Sequence, residues 1–146
     1  EMTQDVMANS LVYWVQDLWH GGFLDRGSKV YAMTSEGTSR VVPSYGVVSG
    51  AKAALESHVR QLAMEFARKG SGVAVNSIRA GVTDTPALRK IPENQRMIDI
   101  TLARNPHGRM TTPQDVADAI VTLSATDSDW ISGNIISVDG GEFVTG

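Results

Sequence analysis

Hydrophobic positions recur every three or four residues in four segments of the chain, and this spacing predicts amphipathic helices. The segments are residues 3–19, 45–69, 86–104 and 113–125. Three shorter apolar runs have the length and the β-branched content of strands. These runs are residues 29–33, 73–78 and 134–138. Because helices and strands alternate, the pattern predicts an α/β fold with a mostly parallel sheet and flanking helices.

Residues with known preferences for helix ends mark several of the predicted boundaries. Thr3 is predicted to cap the first helix and Gly21 to end it. Gly70 is predicted to stop the long second helix. Thr112, followed by Pro113 at the first helical position, is predicted to start the last helix.

Composition and charge exclude several classes of function. The 146 residues are 42% hydrophobic and 20% charged, with a formal net charge of -3 and scattered lysines and arginines, so we expect no nucleic-acid partner. There is no cysteine and the three histidines lie far apart, so we expect neither a disulfide nor a metal site. No apolar run approaches the ~20 residues that cross a bilayer. We therefore expect a cytoplasmic protein without a membrane partner.

The predicted sheet is thin for its class. Three strands are predicted, whereas a dinucleotide-binding fold built of two halves has about six. The sequence also lacks a glycine-rich strand–turn–helix segment, which would place a pyrophosphate on a helix N-terminus. We therefore expect residues 1–146 to be the C-terminal part of a single Rossmann-like domain, with the N-terminal half of the fold absent from this chain.

Candidate chemistry lies where the first predicted strand ends and the long helix begins. Ser35 precedes Tyr45 by ten residues, and Lys52 follows Tyr45 by seven. Seven residues of helix bring Lys52 back near the face of Tyr45, about 10 Å along the axis. A tyrosine can donate a proton to a developing oxyanion, and a nearby ammonium favours its phenolate. The spacing alone is weak evidence, because most tyrosines and lysines at this separation are an ordinary aromatic residue at a helix start and a solvated side chain.

Residues 35–56, Ser-Glu-Gly-Thr-Ser-Arg-Val-Val-Pro-Ser-Tyr-Gly-Val-Val-Ser-Gly-Ala-Lys-Ala-Ala-Leu-Glu, resemble the active-site segment of the short-chain dehydrogenases/reductases. The usual motif of that family has three residues between Tyr and Lys, and Ser49 occupies that position here. The six-residue gap resembles the divergent branch that contains the enoyl-acyl-carrier-protein reductases. Three further segments are similar to the loop over the nicotinamide, the closing helix and the last strand of the family: residues 73–85, 108–120 and 131–141.

This resemblance implies an NAD(P)H-dependent reductase and assigns roles to individual residues. Tyr45 is expected to donate a proton or stabilise an enolate, and Lys52 to hold the ribose hydroxyls of the cofactor. In the loop that turns at Gly81, the Thr83 backbone is expected to face the carboxamide, and the Thr85 hydroxyl to face a phosphate. Thr85 is also expected to cap the helix that begins at Pro86. The family resemblance further implies a homodimer or homotetramer.

Three functions stay open at this stage. The first is reduction of an enoyl thioester, carried by a small molecule or an acyl carrier. The second is a ketone reductase or alcohol dehydrogenase, such as a 3-oxoacyl thioester reductase, because Ser35 stands where many enoyl reductases carry a second Tyr. Ser35, or Thr34 in its place, would then polarise the substrate carbonyl. The third is a non-catalytic fragment that lacks the cofactor-binding half. Asn9 and Met7 both lie near the position of a family asparagine, and we do not assign Asn9 a catalytic role.

Overall fold

A three-stranded parallel sheet forms the centre of the computed structural model, which describes residues 2–92 and 94–145. The strands are β1 Lys29–Thr34, β2 Ala74–Ala80 and β3 Ile135–Val138, and β2 lies between the other two. In the register, Arg79 pairs with Thr34 on one side and with Ser137 on the other. The predicted α/β class with a parallel sheet is confirmed.

Helices alternate with the three strands along the chain, as the sequence predicts. They are α1 Met2–Gln4, a π-helical turn Asp5–Asn9, α2 Ser10–His20, α3 Gly46–Arg68, α4 Pro86–Arg89, α5 Asn94–Arg104 and α6 Pro113–Ser124. Short 3-10 turns follow β1 and β3 at Glu36–Thr38 and Glu142–Val144. Across residues 2–92 and 94–145, no helix combines the length and the apolar character that crossing a membrane requires.

Two boundary predictions are wrong. The single helix predicted over residues 86–104 is two helices, α4 and α5, which are separated around Pro92. Proline lacks the N–H of a helical hydrogen bond and disfavours helical geometry in the residue before it. Thr3 does not cap the first helix, because it lies inside α1. The predicted stop at Gly70 is confirmed, since this glycine has a left-handed φ of 61° just after α3.

The main core forms where α2 and α3 pack on one face of the sheet. Its buried residues come from all three elements and include Val15, Val59 and Val75. Trp19 packs edge-on against Phe66, with 5.2 Å between the ring centroids. This burial removes apolar surface from water and is the main source of stability in such a layer.

Helix α6 lies on the opposite face of the sheet. Neighbouring residues of a strand point to opposite faces, so Tyr31 points away from the core residue Ala32. The Tyr31 hydroxyl is 3.1 Å from the Ser124 hydroxyl at the end of α6. Helices therefore flank both faces of the sheet and leave the carboxyl ends of its strands accessible.

The start of α6 depends on one threonine. The Thr112 hydroxyl accepts the N–H of Asp115, and the Asp115 carboxylate accepts the N–H of Thr112, which forms a capping box. We expect Thr112→Ala to lower the free energy of unfolding by about 1 kcal/mol in urea denaturation. The control Gln114→Ala, at an exposed position of the same turn, should change it by less than about 0.5 kcal/mol. An equal effect of both variants would contradict the capping role.

Candidate active site

A cavity of about 400 Å³ lies at the carboxyl ends of the three strands. The residue that follows each strand lines it: Ser35 after β1, Gly81 after β2 and Asp139 after β3. Ligands of open parallel sheets bind at this edge, because the strand ends and the following loops meet there. The position of the cavity therefore agrees with a ligand site.

Five of the six residues that the sequence identifies as site residues line this cavity. They are Ser35, Tyr45, Gly81, Thr83 and Thr85. The remaining lining is largely apolar, and four of its residues come from the segment that contains α4 and α5. The structure thus brings together side chains that are as much as fifty residues apart in sequence. Their individual roles stay predictions.

Tyr45 is held where the chain turns into α3. It is the residue before the helix, and its carbonyl oxygen accepts the N–H of Ser49 at 2.8 Å. The ring packs closely on Gly37: a Cβ added there would lie 2.8 Å from Cδ1 of Tyr45 and 2.9 Å from Cε1. Because no side chain fits between them, glycine at this position lets the tyrosine ring rest on the backbone.

Lys52 lies on α3 and is not among the cavity-lining residues. Its ammonium donates a hydrogen bond to the carbonyl oxygen of Met33 in β1 at 2.7 Å. Burial lowers the pKa of Lys52 from its ordinary value, since desolvation disfavours the charged form. An ammonium has three N–H groups, and the Met33 carbonyl takes one of them. The other two are available to a further acceptor.

The two neighbouring hydroxyls after β1 have different surroundings. The Thr34 hydroxyl is buried and donates to the Glu56 carboxylate at 2.7 Å. The Ser35 hydroxyl is also buried but has no hydrogen-bond partner among the described residues, and Ser35 lines the cavity. A buried hydroxyl without a partner costs free energy, so a ligand oxygen would stabilise it. Of the two candidates, Ser35 therefore suits substrate binding and Thr34 does not.

The loop after β2 is tied to two other segments. The N–H of Gly81 donates to the carbonyl oxygen of Val138 at 3.0 Å. Thr83 forms an isolated parallel bridge with Thr111, whose N–H donates to Val82 at 3.2 Å. The Thr83 hydroxyl donates to the Gly81 carbonyl at 2.8 Å. These bonds hold the loop in a defined shape at the cavity wall.

Thr85 has the capping role that the sequence predicts. Its hydroxyl oxygen accepts the N–H of Leu88 at 3.2 Å, at the start of α4. The same residue lines the cavity, so capping and ligand contact are compatible for one side chain. The capping prediction is confirmed, and the contact with a cofactor phosphate stays a prediction.

The first helical segment contributes Met7 to the cavity. Met7 lies in the π-helical turn Asp5–Asn9 and is a lining residue, whereas Asn9 is not. The Asn9 amide instead donates to Asp5 at 2.8 Å, and its oxygen is 3.2 Å from Nε2 of His58. Asn9 therefore links its own turn to α3.

Sequence reasoning missed a buried glutamate behind the loop. Glu142 is 3% exposed and lines the cavity, and a Cβ added at Gly81 would lie 3.0 Å from its Oε2. Burial raises the pKa of Glu142, while hydrogen bonds from Asn105 and the Val82 N–H favour its charged form. Its position just after β3 was a usable signal, because the carboxyl ends of parallel strands gather at one edge.

Replacement of Glu142 should reveal the cost of burying this carboxylate. A raised pKa means that the folded protein binds the proton more tightly than the unfolded chain. The stability that the folded protein gains from this tighter proton binding is complete at acid pH and is lost as the pH rises through the folded-state pKa of Glu142. We therefore expect the stability of Glu142→Gln, relative to the natural protein, to improve as the pH rises from acid values through the folded-state pKa of Glu142, measured by urea denaturation at a series of pH values. The reverse trend would contradict the assignment, and Glu65→Gln on α3 controls for the loss of one carboxylate.

Comparison with known proteins decides the family. The sequence matches the family model described as enoyl-(acyl carrier protein) reductase over residues 1–142. The chain belongs to this family. Its members are short-chain dehydrogenases/reductases, which agrees with the resemblance of the segment from Ser35 to Glu56.

Several known proteins resemble the chain in sequence. It is 37% identical over 124 residues to the NADH enoyl-[acyl-carrier-protein] reductase of Aquifex aeolicus, covering 83% of this chain and 44% of that protein. It is 36% identical over 124 residues to the 1-cyclohexenylcarbonyl-CoA reductase of Streptomyces collinus, covering 81% of this chain and 42% of that protein. It is 34% identical over 138 residues to the 4-formylbenzenesulfonate dehydrogenase of Comamonas testosteroni, covering 89% of this chain and 52% of that protein.

The structural comparison agrees with the sequence match. The crystal structure of the Aquifex aeolicus enzyme superposes with a TM-score of 0.85 at 34% identity, covering 98% of this chain and 54% of the other. The Rossmann-like architecture of the chain is therefore confirmed. The chain spans about half the length of the curated relatives it matches.

Proposed function

We propose that this chain is the C-terminal, catalytic part of an NAD(P)H-dependent reductase that acts on an enoyl thioester. The observation that supports this most is the meeting of Ser35, Tyr45 and the loop 81–85 at one largely apolar cavity. The six-residue gap between Tyr45 and Lys52 favours the enoyl branch of the family. Two of the relatives described above are named as reductases of enoyl substrates, which supports the same choice.

Tyr45 has the central chemical role in this proposal. When bound, the nicotinamide cofactor supplies a hydride, which forms a bond to the β-carbon of the enoyl group. The electron pair of the carbon–carbon double bond then moves toward the thioester oxygen, and an enolate develops. The Tyr45 hydroxyl donates a hydrogen bond or a proton to that oxygen and so stabilises the charge. The α-carbon then takes a proton from solvent while the carbonyl double bond re-forms and any proton on the oxygen is released, which completes the saturated thioester.

The residues present suit the nicotinamide half of the cofactor. Lys52 keeps N–H donors beyond the one that binds Met33, and these suit the ribose hydroxyls. Its positive charge also favours the phenolate form of a nearby tyrosine. In this proposal the Thr83 backbone faces the carboxamide and the Thr85 hydroxyl faces a phosphate. The adenosine and pyrophosphate would bind to a part of the natural polypeptide that this chain does not include.

The apolar wall of the cavity suits an acyl chain. Leu88 and Ile91, from α4 and the segment after it, and Met97 from α5 all line it. Contact with such side chains displaces water from the substrate, and electrostatic interactions are stronger in the resulting low-dielectric environment. A hydrogen bond from Tyr45 to the developing oxyanion therefore gains strength when the acyl chain is bound.

A second candidate, reduction of a ketone or oxidation of an alcohol, has one observation in its favour. The buried Ser35 hydroxyl has no partner in the described part of the chain, and a carbonyl oxygen of the substrate could accept its hydrogen bond. The Comamonas testosteroni relative is named as a dehydrogenase, so such chemistry occurs among similar proteins. In this alternative Tyr45 protonates the alkoxide oxygen after hydride reaches the carbonyl carbon.

Substrate preference separates the two chemistries. The natural polypeptide that contains this chain would be mixed with NADH or NADPH and with crotonyl or acetoacetyl thioester. We expect NAD(P)H oxidation with the crotonyl thioester, and butyryl thioester is the control because it lacks both reducible groups. Oxidation only with acetoacetyl thioester would contradict enoyl reduction and support the alternative. No oxidation with either, together with no nicotinamide binding in calorimetry, would support the non-catalytic fragment.

Assembly and location follow from the same proposal. We expect a homodimer or homotetramer in the cytoplasm, with a small-molecule or acyl-carrier-bound thioester as its substrate. Size-exclusion chromatography with light scattering would test the assembly, and cell fractionation would test the location. A monomer at micromolar concentration would contradict the first expectation.

A further inference from the structure

Arg79 is a charged residue on the central strand, at the edge where the cavity lies. It lines the cavity and pairs in register with Ser137 of β3. Its Nε and one terminal nitrogen donate to the Ser137 hydroxyl at 3.2 and 2.7 Å. Its guanidinium carbon lies 3.7 Å from the ring centroid of Phe143, which is a cation–π distance. The guanidinium is therefore fixed on two sides.

The charge of Arg79 is not balanced inside the described part of the chain. None of the ion pairs among residues 2–92 and 94–145 includes Arg79. The acidic residues of the cavity wall have other partners: Glu36 pairs with Arg104 at 3.2 Å, and Asp139 accepts two backbone N–H groups. The Glu142 carboxylate accepts from the Asn105 amide at 3.5 Å. Arg79 is thus the lining residue with an unpaired positive charge.

Hydrogen bonding leads to the same conclusion. A guanidinium has five N–H donors in a planar fork, and the Ser137 hydroxyl accepts from two of the nitrogens. No other acceptor for Arg79 occurs among the hydrogen bonds of the described residues. The remaining guanidinium nitrogens of Arg79 are not among the buried atoms that lack a partner, so they are open to the cavity or to solvent, and a carboxylate is the group that matches the fork best.

We propose that Arg79 is a specificity residue that binds a carboxylate carried by the substrate of this cavity. The inference rests on the proposed function for the location of the substrate, and it adds the chemical class: an acyl compound with a negatively charged carboxylate rather than a plain hydrocarbon chain. The acid would bind the free edge of the guanidinium, while Ser137 and Phe143 hold the arginine in place.

Arg40 provides a matched control on the same ring. Its guanidinium carbon lies 4.6 Å from the Phe143 centroid, and it donates a hydrogen bond to the Phe143 carbonyl. Arg40 does not line the cavity. Loss of Arg40 therefore removes a positive charge and a stacking contact near Phe143 without removing the proposed ligand contact.

The test compares an acid with its neutral ester. Monomethyl adipate and dimethyl adipate differ in one carboxylate, and their binding to the natural polypeptide would be measured by calorimetry or ligand-observed NMR. We expect the monoester to bind at least about tenfold more tightly, as a charged hydrogen bond predicts. Arg79→Met should remove this preference, Arg79→Lys should retain part of it, and Arg40→Met should retain it. Equal binding of the two compounds by the natural protein, or a preference that survives in Arg79→Met, would overturn the proposal.

Two features keep the result unambiguous. Equal binding of acid and ester by the natural protein overturns the proposal even where Arg79→Met fails to fold, and the milder Arg79→Lys variant, with a partly reduced preference, then assigns the contact to Arg79. A parallel assay with the N-acetylcysteamine thioester of hex-2-enedioic acid and its methyl ester measures turnover. An absence of turnover with every thioester, combined with tight binding of the monoester, would contradict the enoyl reductase and leave the Arg79 inference standing.

Discussion

Tyr45→Phe should lower kcat of the natural polypeptide by a factor of about 10² to 10⁴, the range expected for loss of a general acid. The substitution removes one oxygen atom and keeps the ring that packs on Gly37. The geometry of the segment before α3 should therefore survive, while the developing enolate loses its hydrogen-bond donor. Steady-state kinetics with the enoyl thioester measure the effect, and KM for the cofactor should change little.

Tyr13→Phe is the matched control for this substitution. Tyr13 is 54% exposed on α2 and is not a cavity-lining residue. The Tyr13→Phe substitution should leave kcat unchanged. A Tyr45→Phe variant with full activity would remove Tyr45 from the mechanism.

Ser35→Ala adds a second comparison: it should reduce turnover strongly for a carbonyl substrate and weakly for an enoyl substrate, because Ser35 polarises the reacting carbonyl only in the first case.

Gly81→Ala should both destabilise the protein and weaken cofactor binding. A Cβ at this position would contact the Thr111 hydroxyl and lie 3.0 Å from Oε2 of Glu142 and 3.1 Å from Cβ of Asp139. These neighbours surround the position, so the loop must shift to admit a methyl group. Overpacking of this kind costs about 1–3 kcal/mol. Since Thr83 follows two residues later, we also expect KM for the nicotinamide cofactor to rise by about tenfold or more.

Gly50→Ala is the control for the glycine substitution. Gly50 lies inside α3, and an added Cβ there would meet no atom within 4 Å. Replacing glycine by alanine within a helix stabilises it by about 0.5–1 kcal/mol. The two variants should therefore change the free energy of unfolding in opposite directions. A Gly81→Ala protein as stable as the natural one, with unchanged KM for the cofactor, would contradict the tight packing.

Local sequence signals predicted the elements well where a single residue type controls the geometry. Gly70 has the left-handed backbone that ends α3, and Thr85 and Thr112 cap their helices. The failures came from competing local effects. Apolar periodicity continued through residues 86–104, but Pro92 interrupts the helix there, and Thr3 lies inside a helix although threonine favours the capping position.

For the candidate site, too, the sequence predicted what depends on a short segment and missed what depends on contacts between distant segments. Ser35 and Tyr45 could be identified from a short motif, because both belong to one segment of chain. The motif could not show the surroundings that distinguish Ser35 from Thr34. The hydrogen-bond partner of Thr34 is Glu56, a residue of α3 that faces β1. Likewise, nothing in the local sequence around Arg79 shows whether an acidic residue from another segment neutralises it.

By itself, the sequence determined the α/β class, the order of its helices and strands, and the segments that carry Tyr45 and the loop at Gly81. These properties depend on periodicity and on residues that act within a few positions of themselves. Only the tertiary structure decided which strand ends share one cavity, that Glu142 lies behind the loop, and that no ion pair within residues 2–92 and 94–145 includes Arg79. Burial and charge pairing depend on contacts between distant segments, and a linear pattern does not contain them.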